Sequence, residues 1–500
     1  MSENHPKLRG ISPRLDILLT LWLAFSARAI SLTAQGLWRD EVDQWRFALQ
    51  PWAEMAANFT KVGWNGPLYS PLVRAWIALT GESVYALRYL SLLWGVLGVA
   101  LIYALARRLL DARAARWAVL LMALSPYMVW YAQEVKMYTW VPLLVLLALY
   151  ALERACVTAQ RRWWLTMLVA TSLAFYSHIL AALLIPVIYL WVWLHPRRHP
   201  RALRRGWWAP ALLVLPYLPL LAWQAPLLLQ VRETGFPPYA LHEMALTLLN
   251  GWLVGIYQGE MLVGGNVGIG IILAMSALAF LGAIELVARG RERLLYRLGI
   301  WMGVPLLALW FVSLRGPIFT DRYLIWAAPA LYLLVAAGLA VMQRRMRRAW
   351  PALFLLLTGL WGFRLVEQAI YPIKPQFDHA ADYLATARDP DALLLFQIPY
   401  NHHVIDYYFR RRGDAHLFPW AEAPFTNWRA PDGDYDYGMP YVDGQMRGIV
   451  ADYREVWLVY SEVPLWDERE LVRIWLDTRG AVADKIPLHG VTLYRYELQP

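Results

Sequence analysis

VYALRYLSLLWGVLGVALIYALARRLLDARAAR, residues 84–116, opens with about 23 residues that carry one arginine, Arg88, at their head and closes on a cluster of arginines. An uninterrupted apolar run of about 20 residues is the length an α-helix needs to cross the hydrocarbon core. A basic cluster directly after it marks the end that stays in the cytoplasm. The same alternation recurs along the chain. Apolar runs near 17–33, 117–133, 138–153, 163–178, 179–194, 207–229, 263–284, 298–313, 324–342 and 350–367 bring the expected spans to eleven. Between alternate runs stand RRLLDARAAR (107–116), ERACVTAQRR (153–162), RRHPRALRR (197–205), RGRERLLYR (289–297) and RRMRR (344–348). With these five inside, an odd number of spans puts the amino terminus in the cytoplasm and the carboxyl terminus outside. The stretch 163–194, broken near His178, reads either as two short spans or as a re-entrant pair, and only two spans preserve the alternation.

The composition agrees with a polytopic α-helical membrane protein: 59% apolar residues, 17% charged, 28 tryptophans and 28 tyrosines, the aromatic rings being suited to repeated membrane interfaces. The net charge of +10 lies in short clusters between apolar runs, which argues for membrane topology and against nucleic acid as a partner. One cysteine, Cys156, rules out an intrachain disulfide framework and a cysteine-rich metal site. The first run follows a basic tail with Lys7, Arg9 and Arg14 and lacks a clear small-x-small cleavage site before Trp38, so it reads as a retained anchor in a cell (plasma, inner) membrane.

Two domains are expected. Residues 1–368 form the transmembrane domain, with a first outer loop at 38–83 bearing interfacial helices around 41–57 and 67–80. A second outer segment, 230–262, is interrupted by Pro237 and Pro238. Beyond Gln368 no run is long enough to span. DALLLFQIP (391–399), VWLVYS (456–461) and VTLYRYEL (491–498) have strand patterns, and NHHVIDYYFRR (401–411) has a helical one. Residues 369–500 are therefore expected to make a small extracytoplasmic α/β domain, with acceptor selection as its expected task.

Ionisable residues gather on the outer side. WRDE (38–41) places Asp40 and Glu41 at the start of an amphipathic helix, where backbone amides favour anions. Trp38 and Trp45 would shield them on the lipid side, and a carboxylate held there can accept a proton from a hydroxyl. GWNGPLYSPL (63–72), SPYMVWYAQEVKMYTW (125–140) and RGPIFTDRYLIWAAP (315–329) follow. In them Lys136 offers a point charge and Arg322 a fork for phosphate. Glu134 and Tyr138 share a face if the helix continues. The plainer alternative is a snorkelling lysine beside an interfacial tyrosine, and Asp321 next to Arg322 can simply neutralise it. Arg88 is either a phosphate ligand or an anchor; His178 is either a packed histidine or a substrate ligand. His242 and Glu243 are adjacent in the second outer segment. No third convergent ligand names a metal, so a divalent cation stays open and no other cofactor is required.

This set of motifs resembles the integral-membrane glycosyltransferases of the GT-C superfamily, in the branch of the protein O-mannosyltransferases and the aminoarabinose transferases of lipid A. The resemblance covers about 17–330 and rests on order and common sidedness: an acidic motif in the first outer loop, Pro67-Leu68-Tyr69, then Gln133-Glu134-x-Lys136-x-Tyr138, then Arg322-Tyr323. It implies a polyprenyl-phosphate sugar donor, a hydroxyl acceptor on lipid, glycan or protein, transfer at the outer face with inversion, Asp40 as the catalytic base and Glu41 as its neighbour in support. The phosphate falls to Lys136, Arg322, Tyr323 and Arg88; Asn65, Tyr69, Gln133, Glu134, Tyr138, His178, His242 and Glu243 are the supporting set. One departure is Asn65-Gly66, where many relatives carry an acid or histidine. The alternative is a membrane transporter or another lipid-handling protein; a transporter would show repeated halves and charges at span midpoints, which are not evident. A non-catalytic scaffold with an external recognition domain gives no reason for paired acidic and basic outer motifs. The sequence sets no oligomeric state.

Overall fold

A computed structural model describes residues 13–58, 66–196, 200–219, 222, 237–257, 261, 265–346, 348, 350–413, 418–429 and 433–498. The chain divides into two compact units, Met1–Leu32 with Ala48–Gln368, and Thr33–Phe47 with Ala369–Pro500.

The first unit is helical. Six of its described helices are long and apolar enough to cross a membrane: Val84–Leu109, Trp140–Thr158, Asn266–Ala288, Glu292–Ser313, Asp321–Arg345 and Trp350–Ile370. The other expected spans are shorter or broken. Pro13–Ala29 and Arg161–Ser177 have 17 residues each. The 117–133 run divides into Ala112–Leu124 and Pro126–Tyr131 at Ser125, whose hydroxyl accepts the Met128 N–H at 3.2 Å. The 179–194 run is a 3₁₀ turn, Ile179–Leu183, followed by Leu184–Trp193. The segment 207–229 begins with Trp208–Leu212, and most of its second half lies outside the described residues.

The most apolar stretch of Asp321–Arg345 is wholly buried, whereas that of Trp350–Ile370 is only 22% buried. Phe280, Phe311, Leu355 and Ile370 project from the outer helices. Water would penalise such apolar faces and a bilayer solvates them, so this is a membrane protein. Asn266–Ala288 and Asp321–Arg345 approach each other through small residues. A Cβ on Gly282 would lie 2.1 Å from the Leu334 carbonyl oxygen, and one on Gly338 would lie 1.9 Å from that of Leu278. Without a hydrophobic drive between helices in lipid, close backbone approach of this kind supplies the van der Waals contact that joins them.

The basic segments gather at one end of this unit. Asp111 meets Arg289 at 3.6 Å and Arg344 at 3.2 Å, which links 107–116 to 289–297 and 344–348. Glu153 accepts hydrogen bonds from Arg297 and from Trp191 Nε1 at 2.7 Å, and meets His195 at 3.3 Å. It thereby ties 153–162 to 289–297 and to the segment entering 197–205.

In the second unit, the described residues contain a five-stranded sheet in the order β2-β1-β3-β5-β4: β1 Leu393–Phe396, β2 Trp420–Glu422, β3 Glu455–Tyr460, β4 Gly480–Leu488 and β5 Val491–Leu498. β1 runs parallel to β2 and β3; β5 is antiparallel to β3 and β4. All four residues of β1 are buried, as a central parallel strand covered on both faces requires. Leu393, Leu395, Val456 and Leu458 pack with Val442, Met446, Val472 and Trp475 from helices Met439–Val450 and Leu471–Arg479. Trp457 points to the other face and meets Tyr383 of helix Phe377–Ala387, ring centroids 6.0 Å apart.

Gly338→Val should destabilise the first unit by about 1–3 kcal/mol, the usual range for overpacking. Gly270→Ala, on the same partner helix with nothing within 4 Å of its added Cβ, should be neutral. Thermal unfolding of the purified protein in one detergent compares the two.

Candidate functional site

Helix Arg161–Ser177 ends because His178 takes an extended backbone, φ −146° and ψ 116°. The segment 66–69 docks on this break. Leu68 N–H donates to the Tyr176 carbonyl at 3.0 Å, and a Cβ on Gly66 would stand 2.0 Å from the same oxygen. Glycine is thus the residue that lets Pro67-Leu68-Tyr69 lie on the turn, so the departure at Asn65-Gly66 has a steric reason on its glycine side; Asn65 lies outside the described residues. Tyr69 is buried with its ring 6.0 Å from Trp94, Trp94 is 4.5 Å from Trp140, and Trp140 Nε1 donates to Ser177 Oγ at 3.0 Å.

Two further motifs reach the same turn. The His178 ring is 5.1 Å from Tyr323 and 6.5 Å from Tyr138; the Arg322 guanidinium is 5.8 Å from the Tyr138 ring centroid. Tyr131 stacks edge-on at 5.2 Å from Tyr138, and its hydroxyl donates to Asp321 at 3.3 Å. His178 is 3% exposed, and neither ring nitrogen has a hydrogen-bonding partner among the described residues. A buried imidazole so placed is costly unless it serves another group.

The stretch 132–139 turns instead of continuing as a helix, so Glu134 and Tyr138 do not share a helical face. Its backbone is held from the neighbouring span: Ser91 Oγ donates to the Lys136 carbonyl at 3.4 Å, and Thr139 Oγ1 donates to the Ser91 carbonyl at 2.9 Å. Lys136 is half-buried and Glu134 buried. Gln133 donates to the Arg28 carbonyl at 2.9 Å and to Ser31 Oγ at 2.8 Å. Arg88 is buried and donates to the Leu32 carbonyl at 2.9 Å, which fastens the end of the first span. His242 and Glu243 are exposed, and Glu243 accepts the Ala240 N–H at 2.7 Å to cap helix Leu241–Val254. Among the described residues no three His, Cys, Asp or Glu side chains gather as a cation site.

The acidic pair belongs to the second unit. Asp40 and Glu41 open helix Arg39–Leu49, as the amphipathic pattern indicates, but their environments diverge. Glu41 is 0% exposed and accepts from Lys374 Nζ, itself 5% exposed, at 2.8 Å. Loss of one partner of a buried pair costs about 3–5 kcal/mol. Asp40 is half-buried. Trp45, expected to face lipid, is buried against Tyr407 with ring centroids 5.1 Å apart, because the helix turns its apolar side to protein. Sequence reasoning missed Lys374: it lies between prolines in PIKPQ, and nothing local marks it as the partner of a carboxylate 333 residues away. Farther along this helix, Arg46 donates to His403 Nε2. His402 stacks on Trp420 at 3.7 Å. Burial, then His402, Arg46 and Arg410, lower the His403 pKa to about 3.

A family model described as dolichyl-phosphate-mannose-protein mannosyltransferase matches residues 65–223. No curated protein matches the chain in sequence. Among solved structures, ArnT from Cupriavidus metallidurans in the apo state is similar with a TM-score of 0.60 at 14% identity, over 97% of this chain and 98% of that one. The same protein bound to undecaprenyl phosphate gives 0.58 at 15% identity, over the same shares of both chains, 97% and 98%. The Archaeoglobus fulgidus oligosaccharyltransferase tethered with an acceptor peptide gives 0.55 at 12% identity, over 99% of this chain and 75% of that one. The chain therefore has the fold of the GT-C glycosyltransferases that its motifs resemble.

Two outcomes check these assignments. Gly66→Ala should displace the docked Pro67-Leu68-Tyr69 segment, read as faster amide exchange over 66–70. His403 has an unfolded pKa near 6.5 and a folded value of about 3. Between those values the unfolded chain binds the extra proton, so the stability of the second unit should fall as pH drops below about 6.5. His403→Gln, which still accepts from Arg46 without titrating, should flatten that fall in melting curves taken across the interval.

Proposed function

We propose that this chain is a glycosyltransferase that moves a sugar from a polyprenyl-phosphate donor to a hydroxyl of a lipid, glycan or protein acceptor at the outer membrane face. The observation that carries the reading is the convergence of the Pro67-Leu68-Tyr69, Lys136–Tyr138 and Arg322-Tyr323 motifs on Tyr176–His178, within a fold shared with a structure bound to undecaprenyl phosphate.

The roles follow from charge. Lys136 and Arg322 stabilise the phosphate as it departs, Tyr138 packs against Arg322 and Tyr323 against His178, and His178 supplies a hydrogen bond to the bound donor. Asp40 takes the acceptor's hydroxyl proton. The acceptor oxygen forms its bond to the anomeric carbon as the bond from that carbon to the phosphate oxygen breaks, and the electron pair leaves with polyprenyl phosphate. Direct displacement inverts the anomeric centre. The orientation we assign has eleven crossings of the cell (plasma, inner) membrane, the basic segments and amino terminus in the cytoplasm, and residues 369–500 outside. External cysteine labelling at residues 136 and 322 and in the 369–500 domain, in a background lacking Cys156, checks that orientation; protection of the domain positions would reverse it.

The functional test is incubation of the purified protein with a panel of polyprenyl-phosphate sugars and membrane extract, with products identified by mass spectrometry. Asp40→Asn should lower transfer by about 10²–10⁴-fold, the range for loss of a general base, with donor binding retained. Lys136→Ala and Arg322→Ala should weaken donor binding more than acceptor binding. Transfer from a soluble nucleotide sugar without lipid donor would reject the donor class.

A further inference from the structure

Thr33–Phe47 precedes Val84–Leu109 in sequence, yet it belongs to the compact unit of Ala369–Pro500. The grip is made residue by residue. The Gln35 side-chain carbonyl accepts the N–H groups of Ile373 at 2.9 Å and Lys374 at 2.8 Å, while its amide donates to the Tyr371 carbonyl at 3.2 Å. Leu37 N–H donates to the Tyr408 hydroxyl at 2.6 Å. Arg39 meets Glu462 at 3.0 Å, and Glu41 meets Lys374. Glu462 holds a left-handed backbone, φ +48°, a conformation that costs energy for a non-glycine residue and is retained where the surroundings impose it.

We infer that the 369–500 domain serves the reaction as the mount of the acidic motif, with Lys374, Glu462 and Tyr408 as positioning residues for Asp40. Successive side chains on a helix diverge by about 100°. Arg39 and Glu41 flank Asp40 and are each tied to a different element of the domain, so the rotation of the helix, and with it the direction of the carboxylate between them, is fixed. The location of the grip supports the same role. Ligands of open α/β sheets bind beyond the carboxyl ends of parallel strands. Here the residues following β1 and β3 there, Asn401, Ser461 and Glu462, are engaged with one another and with Arg39. The crevice that elsewhere takes a ligand takes the acidic segment. This inference rests on the reading of Asp40 as the base.

The test uses the full-length protein with Lys374→Met, Glu462→Gln, Tyr408→Phe and the exchange pair Glu41→Lys with Lys374→Glu. Two quantities are read: amide exchange over residues 35–46, and transfer rate alongside binding of polyprenyl phosphate. Expected are exchange at least tenfold faster in Lys374→Met and Glu462→Gln, a smaller rise in Tyr408→Phe, and a loss in kcat of roughly 10–100-fold with polyprenyl phosphate affinity within twofold. The exchanged pair should recover part of both losses. Should Lys374→Met fail to fold, the other two single variants carry the same readouts. Unchanged exchange in the folded variants overturns the mount and leaves the donor reading standing. Faster exchange with unchanged transfer also overturns it. Absence of transfer by the wild-type protein from every lipid-linked donor defeats the functional reading instead, and the exchange measurements still decide the anchoring.

Discussion

Inside hydrocarbon a backbone N–H or carbonyl has no water to bond, so a chain that crosses it must pair those groups within each segment. The first unit follows from that demand. Its long helices satisfy themselves, and at three described departures from helical geometry the protein supplies partners. Ser125 caps its own break, the 132–139 turns lean on Ser91, and the break at His178 is covered by Leu68. A fourth departure, the 3₁₀ turn Asp321–Ala327, brings Arg322 and Tyr323 to the same place. The candidate donor site is thus assembled from interruptions of the helices, where side chains and turns can face a ligand.

Charge is rationed by the same medium. Glu153, near the end of its helix, is surrounded by Arg297, His195 and Trp191, and the buried Arg28 donates to the carbonyls of Ala24 and Ala123, each at 2.9 Å. Such groups depend on the partners they have, since removal of one strands a charge in low dielectric. Lys136 and Arg322 differ in keeping partial exposure, a condition for meeting a phosphate.

The α/β unit solves a separate problem. In the reading of Asp40 as the base, its carboxylate needs a fixed direction, and a short amphipathic helix has little rigidity of its own. Building that helix into a packed sheet domain through Glu41, Arg39 and Gln35 gives the acid a rigid support, as functional groups require when geometry must hold within a fraction of an ångström.

The sequence by itself determined the long apolar helices, the five basic segments that gather at one end, the strands at 393–396, 455–460 and 491–498, and the order of motifs that resembles the GT-C glycosyltransferases. These are local signals: run length, charge alternation and residue period are written in neighbouring positions. Tertiary structure decided the rest. That Gly66 is required by the Tyr176 carbonyl, that His178 stands between Tyr138 and Tyr323, and that Glu41 is consumed by Lys374 while Asp40 stays half-exposed are contacts across tens to hundreds of residues. Periodicity also placed Trp45 on the apolar side of its helix, and only packing against Tyr407 showed that protein covers that side. A pattern of apolar residues states that a face is buried; what buries it depends on where the remainder of the chain folds.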